Sequence, residues 1–121
     1  MVMHMKDAVE NTAGLFKAVA EPNRLRILMM LRIRPMCVCE ITYVLGLDQS
    51  TVSRHLAKLK RAGLIADERK GQWVDFKIRR PKGGFAKSEI FRLIAKELGA
   101  SEIVRRDAKR AERADRRILC R

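Results

Sequence analysis

Apolar residues recur along the first half of this chain at intervals of three and four. Between Lys6 and Ala20, the residues Val9, Ala13, Phe16 and Ala20 fall on one side of a helical wheel, which predicts an amphipathic helix. Glu21 and Pro22 interrupt it, and Pro22 suits the first position of a second helix. Leu25, Leu28 and Leu31 carry that helix to about Arg32, with Arg24, Arg26 and Arg32 left for solvent, and Pro35 ends the segment. A short third helix is predicted from about Cys37 to Leu45, where Gly46 has the type and position of a C-cap. The stretch "LDQSTVSRHLAKLKRAG" then gives a fourth: Asp48 caps it, Val52, Leu56 and Leu59 form its buried stripe, and Gly63 closes it.

The period changes in "LIADERKGQWVDFKIRR". Leu64 and Ile65 open one strand, Trp73, Val74, Phe76 and Ile78 mark another, and the turn Arg69-Lys70-Gly71-Gln72 joins them as a hairpin. Trp73 is expected to pack under that hairpin. After a break at "PKGGF", Ile90, Phe91, Ile94 and Leu98 restore a helical stripe. Gly99 interrupts it and Ser101 caps a last segment reaching to about Leu119, with Glu112 and Arg116 at a pairing distance along it. Its stripe of Val104, Ala108, Ala111 and Ile118 is thin, so it is expected to be a solvated tail or to pack on another subunit.

The predicted class is therefore mainly α with a small β-hairpin. A length of 121 residues allows one core. We expect a single domain over residues 1–98 and a basic helical extension over 99–121. No run approaches the 18 apolar residues of a membrane span. The N-terminal "MVMHMKDAVE" lacks an apolar secretory core, so a cytoplasmic protein is expected. The net charge of +13 is unevenly spread: residues 1–53 carry +1, residues 54–96 carry +9 and residues 97–121 carry +3. A polyanion, nucleic acid or an anionic membrane surface, should meet the middle third.

The fourth helix says which. Gln49, Ser50, Thr51, Ser53, Arg54 and His55 crowd its start and Lys58 follows, so short hydrogen-bonding side chains lead and cations come after. A recognition helix needs that order, because its first turns reach base edges while cations hold phosphates. With the third helix and the Gly46 turn it makes a helix-turn-helix, and the hairpin behind it makes a wing whose tip, Arg69 and Lys70, can reach a phosphate or the minor groove. One such helix reads only a few base pairs, so a two-fold dimer is expected.

Two of three cysteines, Cys37 and Cys39, sit one residue apart at the start of the third helix. They cannot easily bridge each other, and a disulfide framework is not expected. They are reduced bystanders, soft-metal ligands or redox groups, and a helix N-terminus is expected to lower a thiol's pKa. No acid or base converges on them, so an enzyme is not expected.

The ordered series "EPNRLRILMMLR", "CVCE", "STVSRHLAKLKRAGLI" and "KGQWVDFKI" resembles the ArsR/SmtB family of winged-helix transcriptional repressors over residues 12 to 98. The resemblance implies a homodimer, paired through its first and last helices, that binds an inverted-repeat operator and releases it when a soft metal or metalloid binds. It also assigns DNA reading to Gln49, Ser50, Thr51, Ser53, Arg54 and His55, with the wing at Arg69 and Lys70. The zinc site of such proteins lies on the last helix and needs His, which is absent between Phe85 and Arg121. The CVC pair instead resembles the arsenite and antimonite sensors, with cadmium- and lead-sensing relatives as the alternative. Those arsenite sensors carry a third Cys where this chain has Thr42, which leaves Cys120 as either the third ligand or an unpaired terminal thiol. A thiol-redox regulator and a constitutive DNA-binding regulator stay open as alternatives.

Overall fold

Helix α2 (Pro22–Ile33) is the axis on which the other elements are laid. Ile27, Leu28, Met29, Met30 and Leu31 are all buried, so it is covered on every side over that stretch. Each such side chain contributes roughly 1.5–3 kcal/mol of burial. The computed structural model describes residues 7–79 and 85–119. The break expected at residues 81–84 and Cys120 lie outside them.

Helix α1 (Ala8–Val19) begins where Asp7 accepts the Val9 N–H, and it packs inward through Leu15, Ala18 and Val19. The stripe that drew attention in the sequence is its other face: Val9 is 75% and Phe16 55% exposed. A two-residue strand, β1 (Met36–Cys37), precedes α3 (Val38–Leu45), and Gly46 closes α3 in the left-handed conformation with φ +70°. Helix α4 (Gln49–Arg61) starts on Asp48, which accepts the Thr51 N–H at 3.1 Å, and buries Val52, Leu56 and Leu59. Strands β2 (Ile65–Lys70) and β3 (Trp73–Ile78) form the hairpin, with Gly71 at positive φ in the first turn position, where a type II′ turn favours glycine. The sheet order is β1-β3-β2, antiparallel throughout, with Met36 opposite Phe76 and Cys37 opposite Asp75. β1 was not anticipated, since two residues carry no alternation to read.

Helix α5 (Phe85–Glu97) lays Ile90, Phe91 and Ile94 against the core. The chain then turns into α6 (Glu102–Arg113), capped by Ser101, and α7 (Arg116–Leu119). This extension corrects the sequence reading in two respects. It packs on its own chain, against α2 and α3, and it breaks at Ala114 and Asp115. The break removes the expected Glu112–Arg116 spacing.

What holds α6 is mostly polar. Asp107, only 2% exposed, accepts from Arg26 Nε at 2.8 Å and Nη2 at 2.9 Å. Arg26 is thus paired with the extension, not left to solvent. Arg34 donates to the Ala111 carbonyl at 2.9 Å, and Arg110 donates to the carbonyls of Tyr43 and Val44 while lying over the Tyr43 ring. Such a fork of donors suits exposed carbonyls and carboxylates, which explains how a helix with little apolar surface finds a seat. Arg26→Ala should cost about 3 kcal/mol in urea unfolding, because it strands a buried carboxylate. Hydrogen exchange should show α6 losing protection first, and a loss below about 0.5 kcal/mol would show that this pair does not hold the extension.

Candidate functional site

The helix-turn-helix is α3, the Gly46 turn and α4. Gln49, Ser50, Ser53 and Arg54 are exposed along the first turns of α4 and Thr51 is half-buried. Ser50 Oγ donates to Asp48 at 3.3 Å and Arg54 Nη2 to the Thr51 hydroxyl at 3.3 Å, which pre-orders this end. His55 turns away from that group: its Nδ1 lies 3.8 Å from Glu21, and its side chain is 16% exposed, set against the cap of α2. Lys58 is exposed further along, beside α1.

In the hairpin, Arg69 and Lys70 are exposed at the tip. Lys70 pairs with Glu68 at 3.0 Å, and Lys77 pairs with the same carboxylate. The two ammonium groups hold the Glu68 carboxyl down to about 2, so it is ionised at any ordinary pH. Among the described residues Arg69 is bonded only to the Gly71 carbonyl, at 3.4 Å, and is the tip cation without an ion pair.

The cysteines occupy the turn that starts α3. Cys37 is the N-cap and is buried, and Cys39 is half-buried in the first turn. The Cys37 N–H donates to Glu40 Oε1 at 3.0 Å, and the Glu40 N–H points at the Cys37 sulfur, a capping box with cysteine in the usual hydroxyl position. Glu40 is itself buried and pairs with Arg34 at 3.0 Å. Burial pushes the Cys37 thiol above its ordinary value of 9.0, and the Glu40 N–H opposes it without prevailing. The expectation of a lowered thiol pKa is therefore reversed for Cys37, because burial outweighs the helix terminus. Cys39 is disulfide-bonded, which corrects the expectation that these thiols form no disulfide.

Around the turn stand groups that spacing did not reveal. Arg116 binds Asp75 at 2.7 and 3.5 Å and lies 5.0 Å over the Trp73 ring. Asp75 is the residue opposite Cys37 in the sheet, and Arg116 is near enough to feel the charge of Cys37 and Glu40. Trp73 is accordingly half-buried under the extension as well as in its hairpin. Glu40 was legible as the N3 residue of a capping box. Arg116 and Asp75, 41 residues apart, carry no local signal. Thr42, standing where a third thiol was expected, has a buried hydroxyl with no hydrogen-bond partner. Among the described residues no three His, Cys, Asp or Glu side chains gather as a ready metal site, and no helix is long and apolar enough to cross a membrane.

The model of the family "Bacterial regulatory protein, arsR family" matches residues 21–67, from the cap of α2 into β2. Over 65 residues the chain is 46% identical to the arsenic resistance transcriptional regulator ArsR1 of Pseudomonas putida, covering 53% of this chain and 51% of that protein. It is 38% identical over 65 residues to the arsenical resistance operon repressor of Escherichia coli, covering 53% and 56%. The match thus spans about half the length of these curated relatives. A homodimeric winged helix-turn-helix DNA-binding domain from Mycobacterium bovis, titled a possible ArsR-family transcriptional regulator, superposes with TM-score 0.63 at 25% identity. That likeness covers 83% of this chain and 91% of that one.

Two outcomes follow from the thiol turn. A raised folded pKa means that the stabilisation from protonated Cys37 is complete below the unfolded thiol's value and lost as pH rises through the folded one. Alkylation of Cys37 by iodoacetamide should therefore be slow at pH 8 and climb above pH 9.0. A fast reaction at pH 7 would contradict the burial account. Thr42→Val should raise stability by about 1 kcal/mol in thermal unfolding, because it removes a buried hydroxyl without a partner.

Proposed function

The chain belongs to the arsR family of bacterial regulatory proteins, and from that membership we propose a metalloid-responsive transcriptional repressor that releases its operator when arsenite or antimonite binds cysteine sulfur. The observation that carries this reading is the position of Cys37 and Cys39 in the first turn of α3, the helix that the Gly46 turn joins to α4. Gln49, Ser50, Thr51, Ser53 and Arg54 read base edges, His55 supports them from the side, and Lys58, Arg69 and Lys70 serve the backbone. A second copy covers the free faces of α1 and α5, where Val9, Phe16 and Leu93 are exposed. That gives two half-sites about 34 to 36 Å apart.

Residues i and i+2 of a regular helix diverge by roughly 200°, so two sulfurs reach one ion only if the first turn of α3 unwinds. Trivalent arsenic prefers three soft sulfurs. Cys120 is proposed as the third, since it follows α7 in the sequence and α7 packs on α3. Once a cellular thiol reductant has opened the Cys39 disulfide, binding exchanges three hydroxides of arsenous acid for three protein thiols; each hydroxide leaves as water with a thiol proton, and the exchange itself changes no oxidation state. Unwinding that turn disturbs α4 through the short Gly46 link, and DNA affinity falls.

A thiol-redox regulator is the second reading, favoured by the disulfide at Cys39. Operator-binding anisotropy of the reduced protein separates the two. Arsenite should release DNA, peroxide should not, and Cys37→Ser or Cys39→Ser should abolish release while leaving DNA binding intact. Release by peroxide with no response to arsenite would transfer the function to the redox reading, and Cys120→Ser decides the third ligand. Arg54→Ala should cost about 1–3 kcal/mol of operator affinity. Light scattering should give twice 13.9 kDa, and Phe16→Asp should reduce it to the monomer.

A further inference from the structure

Away from the thiols, α1, the start of α2, the end of α4 and the start of α5 enclose an open cleft of about 530 Å³. Five cations line it, Lys17, Arg24, Lys58, Arg61 and Lys87, against one carboxylate, Glu10. Among the described residues none of the five belongs to an ion pair, whereas Lys60, Lys70, Lys77, Arg92 and Arg117 elsewhere on the surface all do. Like charges gathered in a concavity repel one another and draw in a counter-anion.

A second observation points the same way. The Nε of Arg24 is buried and has no acceptor, while its Nη2 reaches only the Lys17 carbonyl at 3.4 Å. Buried donors are almost always satisfied, so this guanidinium is left under-bonded beside the cleft that it lines. The Lys87 ammonium lies over Gly63 at the cleft.

We propose that this cleft binds a phosphate chain of two or three phosphoryl groups. Two guanidiniums and three ammoniums exceed what a single carboxylate can neutralise, and guanidinium forks match phosphate oxygens. The occupant is a free oligophosphate; the DNA backbone, whose phosphates are single diesters separated by sugars, is the competing occupant. Lys58 and Arg61 lie about 14 and 18 Å along α4 from Gln49, beyond the base-reading turns. The cleft shares no residue with the thiol turn, so this proposal stands apart from the metalloid reading. Its occupant would link α1 and α5 to the far end of α4.

The test uses the full chain and sodium tripolyphosphate. Titration followed by amide NMR should perturb Leu15, Ala18 and Ala62 at the cleft floor. Lys17→Gln/Arg61→Gln/Lys87→Gln should weaken binding at least about tenfold, against less than about twofold for the charge-matched Lys60→Gln/Lys96→Gln/Lys109→Gln. In parallel, the salt dependence of operator binding assigns the source. A slope reduced by about two to three in the cleft variant means backbone phosphates and overturns the proposal; an unchanged slope with lost tripolyphosphate binding supports a free oligophosphate. Equal losses in the two variants, or no perturbation of the floor amides in the unaltered protein, overturn the proposal.

Discussion

A carboxylate almost wholly withdrawn from water, Asp107, fixes the arrangement of this molecule beyond its core. Helix α6 carries little apolar surface, so hydrophobic burial alone cannot seat it. The two-pronged bond from Arg26 can, and it also selects register: sliding α6 by one residue along α2 would leave Asp107 buried and unpaired, at a cost of about 3–5 kcal/mol. Once α6 is set, Arg34 and Arg110 meet backbone carbonyls at α6 and at the end of α3, and α7 is brought over the start of α3. The extension is thus a strap across the helix-turn-helix, held by arginines.

The strap ends where the thiols are. Cys37 is tied through its N–H to Glu40, Glu40 to Arg34, and Arg34 to the Ala111 carbonyl. On the other side Cys37 pairs with Asp75, which Arg116 of α7 grips while lying over Trp73 of the hairpin. One turn of chain therefore touches the sheet, α2, α3 and the extension together. A change at either sulfur cannot stay local, because each neighbour is a charged partner that must be re-satisfied when the turn moves.

Much of this was legible in the sequence, for reasons that can be named. The caps Asp48, Gly46 and Ser101, the stripe Val52, Leu56 and Leu59, and the hairpin around Gly71 follow from local rules, and the structure has each in place. The missing parts were long-range or turned on burial. The face of α1 that looked apolar is the outer one, because Leu15, Ala18 and Val19 reach the core from the opposite side. Arg26 and Asp107 are 81 residues apart, and no periodicity connects them. A pattern of charges read as a solvated tail is indistinguishable in sequence from a set of clamps until the carbonyls and carboxylates they grip are known. Helix termini suggested an acidic thiol at Cys37, but spacing cannot tell how deeply a residue is buried, and burial decided the direction.

That direction bears on which ion the proposed sensor would favour. A divalent cation binding two protonated thiols must expel two protons to solvent, so every unit by which burial raises a thiol's pKa weakens its binding by about 1.4 kcal/mol at fixed pH. Arsenous acid is neutral and brings its own hydroxides, which carry the thiol protons away as water. Its exchange has no net proton release and so escapes that penalty. In the proposed sensor, a buried, protonated Cys37 would therefore disfavour cadmium, lead and zinc relative to a hydroxylated metalloid, before any geometry of the third sulfur is considered. The same burial that makes the thiol a poor nucleophile would make it a selective one in that role, and it arises because Cys37 is at once the N-cap of α3 and a strand residue under the arginine strap.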